Sequence, residues 1–192
     1  GLGKTYGYLL PALSMESEGG ILVSVPTKIL QNQIMQEEGS RLKDTFHIDI
    51  HSLKGPQNYL KLDNFYKILH RPESNRLFTR FKMQLLIWLT ETETGDLDEI
   101  GQLYRYQHFL PELVHDGKLS KKSLFATEDF WKRGQEKAKT SRVLLTNHAY
   151  LVTRLEDNPE FVDNRLLILD EAQKMLLALE NLAQQAYRLE DL

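Results

Sequence analysis

Three short runs along the chain are apolar at nearly every position instead of every second one: residues 21–25 (ILVSV), 142–146 (RVLLT) and 166–169 (LLIL). Runs of that length without alternation predict parallel strands covered on both faces. Residues 46–52 (FHIDIHS) alternate instead and predict a further strand over 47–52. Helical spacing fills the gaps. Residues 5–14 predict a helix that Pro11 kinks or shortens by removing a backbone donor. Residues 27–38 predict a second, with Thr27 or Ser24 as its cap. Residues 149–155 predict a third, and 172–187 a last one with Leu176, Leu179, Leu182 and Ala183 on one face. Strands alternating with helices predict an α/β domain in which helices flank a parallel sheet.

From residue 53 to 139 the pattern is helical throughout, with helices expected at 58–69, 75–92, 96–106 and 128–139 and breaks at Pro72, Gly95, Pro111 and Gly117. The organisation therefore reads as one domain built from residues 1–52 and 140–192, carrying an all-α insertion over 53–139. Aromatics such as Tyr59, Phe65, Phe78, Phe81, Trp88 and Tyr106 interleave there with Lys and Arg. Two readings stand for them: the core of a small helical domain, or surfaces that stack bases.

Composition changes this picture at a few points. The formal net charge is −3, yet residues 53–142 hold 16 Lys/Arg against 12 Asp/Glu, leaving that segment at +4 and the rest at −7. A mildly basic insertion permits contact with a phosphate backbone. No apolar run is long enough to span a bilayer. The absence of cysteine excludes disulfides, thiolate metal sites and Cys-ligated iron–sulfur clusters, and fits a reducing cytoplasm. His47 and His51 share a face of the expected strand with no carboxylate cluster beside them, which reads as surface or capping histidine.

The chemistry gathers at the two ends of the chain. Residues 1–5 (GLGKT) are the back half of the phosphate-binding signature G-x-x-x-x-G-K-[ST]. Gly1, Gly3, Lys4 and Thr5 are the candidate nucleotide-binding residues: glycine lets the backbone approach a phosphate, Lys4 reaches the outer phosphates, and the Thr5 hydroxyl ligates Mg²⁺. Residues 166–173 (LLILDEAQ) deliver Asp170 and Glu171 just beyond the carboxyl end of a strand, where α/β sheets bind ligands. The two stretches supply complementary parts of one Mg–nucleotide site, with Asp170 and Glu171 standing where the metal and phosphate would be. Thr27 and Gln31 read in two ways, as contacts to a nucleic-acid backbone or as a capping Thr and a solvated Gln. Asn147 and His148 either face the same crevice as Asp170 or cap the helix after them. The chain opens inside the phosphate signature, with no initiating Met, targeting segment or preceding strand, and is expected to be a fragment of a longer protein.

In order along the chain, GLGKTYGYLLPAL, ILVSVPTKILQNQI, LKGPQNYLKL, VLLTNHAYLV and LLILDEAQK resemble motifs I and Ia, the start of the insertion, the segment before the last strand, and motif II of the DinG branch of the XPD/DinG superfamily-2 DNA helicases. The likeness is greatest to the DinG-type proteins of Gram-positive bacteria, in which an exonuclease domain can precede the helicase region. It implies a partial RecA-like P-loop domain and an activity that couples Mg–ATP hydrolysis to movement on single-stranded DNA, with Thr5 and Asp170 at the Mg²⁺ and Lys4 and Glu171 in catalysis. It further implies a second motor domain and an N-terminal exonuclease domain as partners in the parent chain. The alternative is a nucleotide-responsive DNA-binding module that regulates an attached exonuclease without unwinding. Members with a 4Fe–4S cluster place its first cysteine where this chain has Lys61, so no cluster is expected. Gln173 stands where motif II usually ends in His. The fragment alone is expected to have little or no ATPase activity.

Overall fold

A computed structural model describes residues 2–15, 18–72, 74–119 and 123–190. In chain order the elements are α1 (Leu2–Ser14), β1 (Ile21–Val25), α2 (Lys28–Ile34), α3 (Ser40–Phe46), β2 (Ile50–Ser52), α4 (Leu62–Leu69), α5 (Arg76–Leu89), α6 (Phe130–Thr140), β3 (Val143–Asn147), α7 (His148–Asp157), β4 (Leu166–Leu169) and α8 (Met175–Glu190). They divide into two compact units, residues 1–54 with 137–192 and residues 55–136.

The first unit is α/β. Its four strands run in the order β2-β3-β1-β4, every pairing parallel. All five positions of β1 and of β3 are buried, because successive side chains enter opposite cores. Ile21, Val23, Val25, Val143 and Leu145 pack with Leu9 and Ala12 of α1, Ile34 and Leu42. Leu22 and Leu144 pack on the other face with Leu53, Ala138, Tyr150 and Leu151. Each such side chain contributes about 1.5–3 kcal/mol by leaving water, so the two central strands anchor the sheet.

Several elements depart from the sequence pattern. Of β4, expected to be covered on both faces, Leu167 and Leu169 remain 39% and 37% exposed. Among the described residues this strand pairs only with β1 and forms the sheet's edge. The helix expected to end near residue 38 runs on through a π-helical turn (Met35–Gly39) into α3, since Gly39 adopts ordinary right-handed helical angles. The strand after it starts late, at Ile50, because His47 closes α3 in a left-handed conformation (φ 52°). Helix α1 begins at Leu2 and passes Pro11 without ending. On α8, Leu176 and Leu179 are exposed, and the side chain of Leu182 lies outside the described residues.

The second unit is helical. Among its described residues, extended pairing is confined to the isolated bridges Tyr59–Asp96 and Leu60–Val114, and the helix expected over 96–106 is two short 3₁₀ turns. Phe65, Phe78, Phe81, Leu85, Tyr106 and Leu113 form its core. Phe81 stacks on Tyr106 and Phe78 on Phe109, with ring centroids 4.1 and 4.3 Å apart. These aromatics are occupied by one another. Lys82 turns its buried ammonium onto the carbonyls of Ile68 and Arg71 at 3.0 and 3.3 Å, neutralising the end of α4. Gly95 is required twice over: its φ is +68°, and a Cβ there would lie 2.1 Å from the Phe130 ring.

Lys61 ties the segment before α4 to the loop after Leu113. Its ammonium lies 2.6 Å from Asp116 Oδ1 and 3.0 Å from the Lys118 carbonyl. The hydrogen bond from Lys61 lowers the Asp116 pKa to about 2. A depressed carboxyl pKa contributes stability that is present above the ordinary value of 3.8 and lost as pH falls through about 2. The Asp116 side chain is 57% exposed, which screens the pair. Asp116→Asn is therefore expected to destabilise the protein by less than about 1 kcal/mol at pH 7. Variant and wild type should converge as the pH falls from 4 to 2, followed by urea unfolding across that range.

Candidate nucleotide site at the carboxyl edge of the sheet

Parallel pairing brings the carboxyl ends of β1, β3 and β4 to one edge. Ser24 is level with Thr146 on one side and Leu169 on the other, so Asp170 emerges one residue past the end of β4, its N–H donating to the Ser24 carbonyl at 2.9 Å. Glu171 follows in a left-handed conformation (φ 49°, ψ 52°), which costs a non-glycine residue about 1 kcal/mol or more. That reversal turns the chain into Ala172–Lys174 and α8. Lys174 returns to place its ammonium 2.6 Å from Glu171 Oε2. The hydrogen bond from Lys174 and its charge, with smaller contributions from Lys4 and His148, hold the Glu171 carboxyl below its usual range.

The opening helix stands at the same edge. Lys4 is exposed and Thr5 buried in the first turns of α1. The field of Lys4 reaches Glu171, and that of Asp170 reaches Tyr8 one turn along α1. Burial pushes the Tyr8 phenol up to about 12; the nearby Thr5 hydroxyl opposes this, while the charges of Asp170 and Glu38 add to it. Glu38, beside Thr5, is raised chiefly by burial, and its buried Oε2 has no hydrogen-bond partner among the described residues. A Cβ on Gly3 would meet nothing within 4 Å, so the space over the first turn of α1 is open. Gly1 lies outside the described residues.

Thr5 and Asp170 offer hard oxygen donors of the kind Mg²⁺ takes. Among the described residues no three His, Cys, Asp or Glu side chains gather in a way that could hold a metal unaided. Mg²⁺ is commonly bound through one or two protein oxygens together with substrate phosphates and water.

The remaining candidates separate. Thr27 is exposed and caps α2, its Oγ1 accepting from the Leu30 N–H at 3.2 Å. Gln31 is wholly buried. Its amide nitrogen lies 2.9 Å from Ser52 Oγ, 3.0 Å from the Leu53 carbonyl and 3.1 Å from the Leu145 carbonyl, and its Oε1 accepts from Asn147 Nδ2 at 2.9 Å. The expectation that Gln31 meets DNA is therefore corrected, as is the picture of a solvated Gln, because its hydrogen-bonding groups are spent on strand ends inside the fold. Asn147 caps α7 through the Tyr150 N–H, whereas His148 turns toward Ser24 and the Asp170 main chain. Sequence reasoning missed Lys174 and offered Ser24 only as a helix cap, where the structure uses Thr27 for the cap and turns Ser24 to His148. The signals were there: an i, i+3 spacing from Glu171, and one hydroxyl inside an otherwise apolar strand.

Comparison with known proteins follows the same outline. The DEAD/DEAH box helicase family matches residues 1–100. The 3'-5' exonuclease DinG of Bacillus subtilis is 32% identical over 197 aligned residues, covering 99% of this chain and 21% of the relative. The protein of that name from Staphylococcus saprophyticus is 32% identical over 183 residues, 91% of this chain and 19% of the relative. The one from Staphylococcus aureus is 29% identical over 179 residues, 91% and 20%. The chain thus spans about a fifth of the length of these relatives. With its parallel sheet, its opening GKT helix and its Asp-Glu turn, the chain belongs to the DEAD/DEAH box helicase family, and the relatives it resembles there are of the DinG type.

Proposed function

We propose that the chain is part of the first motor domain of an ATP-driven DNA helicase or translocase of DinG type, working in the cytoplasm on single-stranded DNA. The observation that carries this reading is one of placement: Asp170 and Glu171 follow the carboxyl end of β4, and the charge of Lys4, 167 residues before Glu171 in the sequence, reaches that carboxylate. Lys4 and the amides of the first turn of α1, with Gly1 and Gly3, bind the β- and γ-phosphates. Thr5 and Asp170 hold Mg²⁺, which when bound neutralises phosphate charge. Glu171 orients the attacking water. Thr27, the exposed hydroxyl of its pair, contacts the DNA backbone, while residues 53–139 form the insertion. A second motor domain completes the cleft in the longer protein, so the 192 residues alone turn over little or no ATP.

A second reading has support in the name of the relatives, 3'-5' exonuclease DinG: a nucleotide-responsive module that governs an attached exonuclease domain without separating strands. Lys4→Ala in the longer protein distinguishes the two. Strand separation present in the wild type and abolished in the variant is expected for the motor. ATP-sensitive nuclease activity without any unwinding would replace that reading with the module.

A further inference from the structure

Three strand ends meet at one histidine. Ser24 is the single polar residue of β1 and is fully buried; His148 opens α7 and is 1% exposed. Ser24 Oγ lies 2.8 Å from His148 Nδ1, and His148 Nε2 lies 3.0 Å from the Asp170 carbonyl oxygen. A carbonyl only accepts, so Nε2 carries the hydrogen; Nδ1 is then the acceptor, and the Ser24 hydroxyl donates to it. In the neutral ring that one tautomer satisfies both nitrogens. The carbonyl so held belongs to the residue immediately before Glu171, whose left-handed backbone persists only where its surroundings enforce it. The side chain of Glu171 finds its support in Lys174, an ion pair whose side chains are 33% and 51% exposed and which solvent therefore weakens. The firm hold on this turn comes from below, through the main chain.

We propose that His148 is the positioning residue of the Asp170–Glu171 turn: by gripping the Asp170 carbonyl, and being gripped in turn by Ser24, it fixes the direction in which both carboxylates leave the sheet. The role rests on the ATPase reading above. A ring chosen only to fill this space would have no need of a donor aimed at the acidic turn, and an apolar side chain of similar size would avoid the cost of burying two polar nitrogens.

The test is steady-state ATP hydrolysis by the longer protein with single-stranded DNA, well below its unfolding temperature, with kcat and KM separated. His148→Ala is expected to lower kcat about tenfold with KM for ATP within about twofold, since small misplacement of reacting groups costs rate more than affinity. His148→Gln, which keeps an N–H donor, is expected to retain at least about half of kcat, and Ser24→Ala to lose about two- to threefold. Wild-type kcat in His148→Ala, in a protein that Glu171→Gln inactivates, would overturn the proposal. So would a His148→Gln variant as slow as His148→Ala. If His148→Ala does not fold, an unchanged kcat in Ser24→Ala overturns it instead. Hydrolysis indifferent to Glu171→Gln would sink the ATPase reading itself. The ring ¹⁵N shifts of His148 then decide the bond: Nε2–H supports it and Nδ1–H refutes it.

Discussion

Replacing Glu171 with Gln in the longer protein is expected to leave ATP binding within a few-fold of wild type and to lower kcat by about 100-fold or more. The carboxylate stands one residue beyond Asp170, in a backbone conformation that turns it away from the strand. Its Oε2 is engaged by Lys174 at 2.6 Å, which leaves Oε1 to accept a hydrogen from water. An amide at the same position is almost isosteric and still accepts through one oxygen, but it has no negative charge with which to draw the proton as the water attacks. Because Lys4 and Thr5 stand on α1 and are untouched by the change, nucleotide affinity is the control. Titration of a fluorescent ATP analogue beside the turnover assay makes the comparison. A variant that loses binding and turnover together would mean that Glu171 holds the turn together instead of serving the reaction.

The parts of this site legible in the sequence are those whose chemistry is local. GLGKT announces an open helix start through residue types alone, and LLILDEAQ places two acids after a strand whatever surrounds them. The central strands were equally plain, since ILVSV and RVLLT can be apolar at every turn of the pleat only if both faces are covered. The same rule misjudged LLIL: composition records how apolar a strand is, not whether another element covers its second face, and Leu167 and Leu169, which share one face, are left partly in water. Gly39 reads as a breaker, yet with right-handed angles it passes within a continuous helical run. Hardest to see were the buried polar links. The partners of Gln31 lie 21, 22, 114 and 116 residues away, and Ser24 meets its histidine across 124. No window of ten or fifteen residues contains both ends of such a bond, so the local sequence offers only a cap or a solvated side chain.

Gln31 shows what that blindness conceals, and Gln31→Leu is expected to destabilise the protein by about 2–4 kcal/mol while leaving single-stranded DNA affinity unchanged wherever the variant remains folded. The substitution keeps much of the volume, so the loss is one of hydrogen bonds and not of packing. Asn147 Nδ2 would lose its buried acceptor, and Ser52 Oγ and the Leu53 and Leu145 carbonyls would lose the two amide hydrogens they share. Two of these losses are softened. The Leu53 carbonyl still accepts from Thr146 Oγ1 at 2.9 Å, and the Leu145 carbonyl from the Leu53 N–H at 2.9 Å. The Asn147 amide has no such reserve among these bonds, and its Oδ1 is the cap of α7. Strain there would pass directly to His148, the next residue and the one that touches Asp170. Chemical denaturation should therefore register the change strongly, and at low temperature kcat should fall before DNA binding does. Weaker DNA binding at full stability would restore Gln31 to the nucleic-acid face and contradict its place inside the fold.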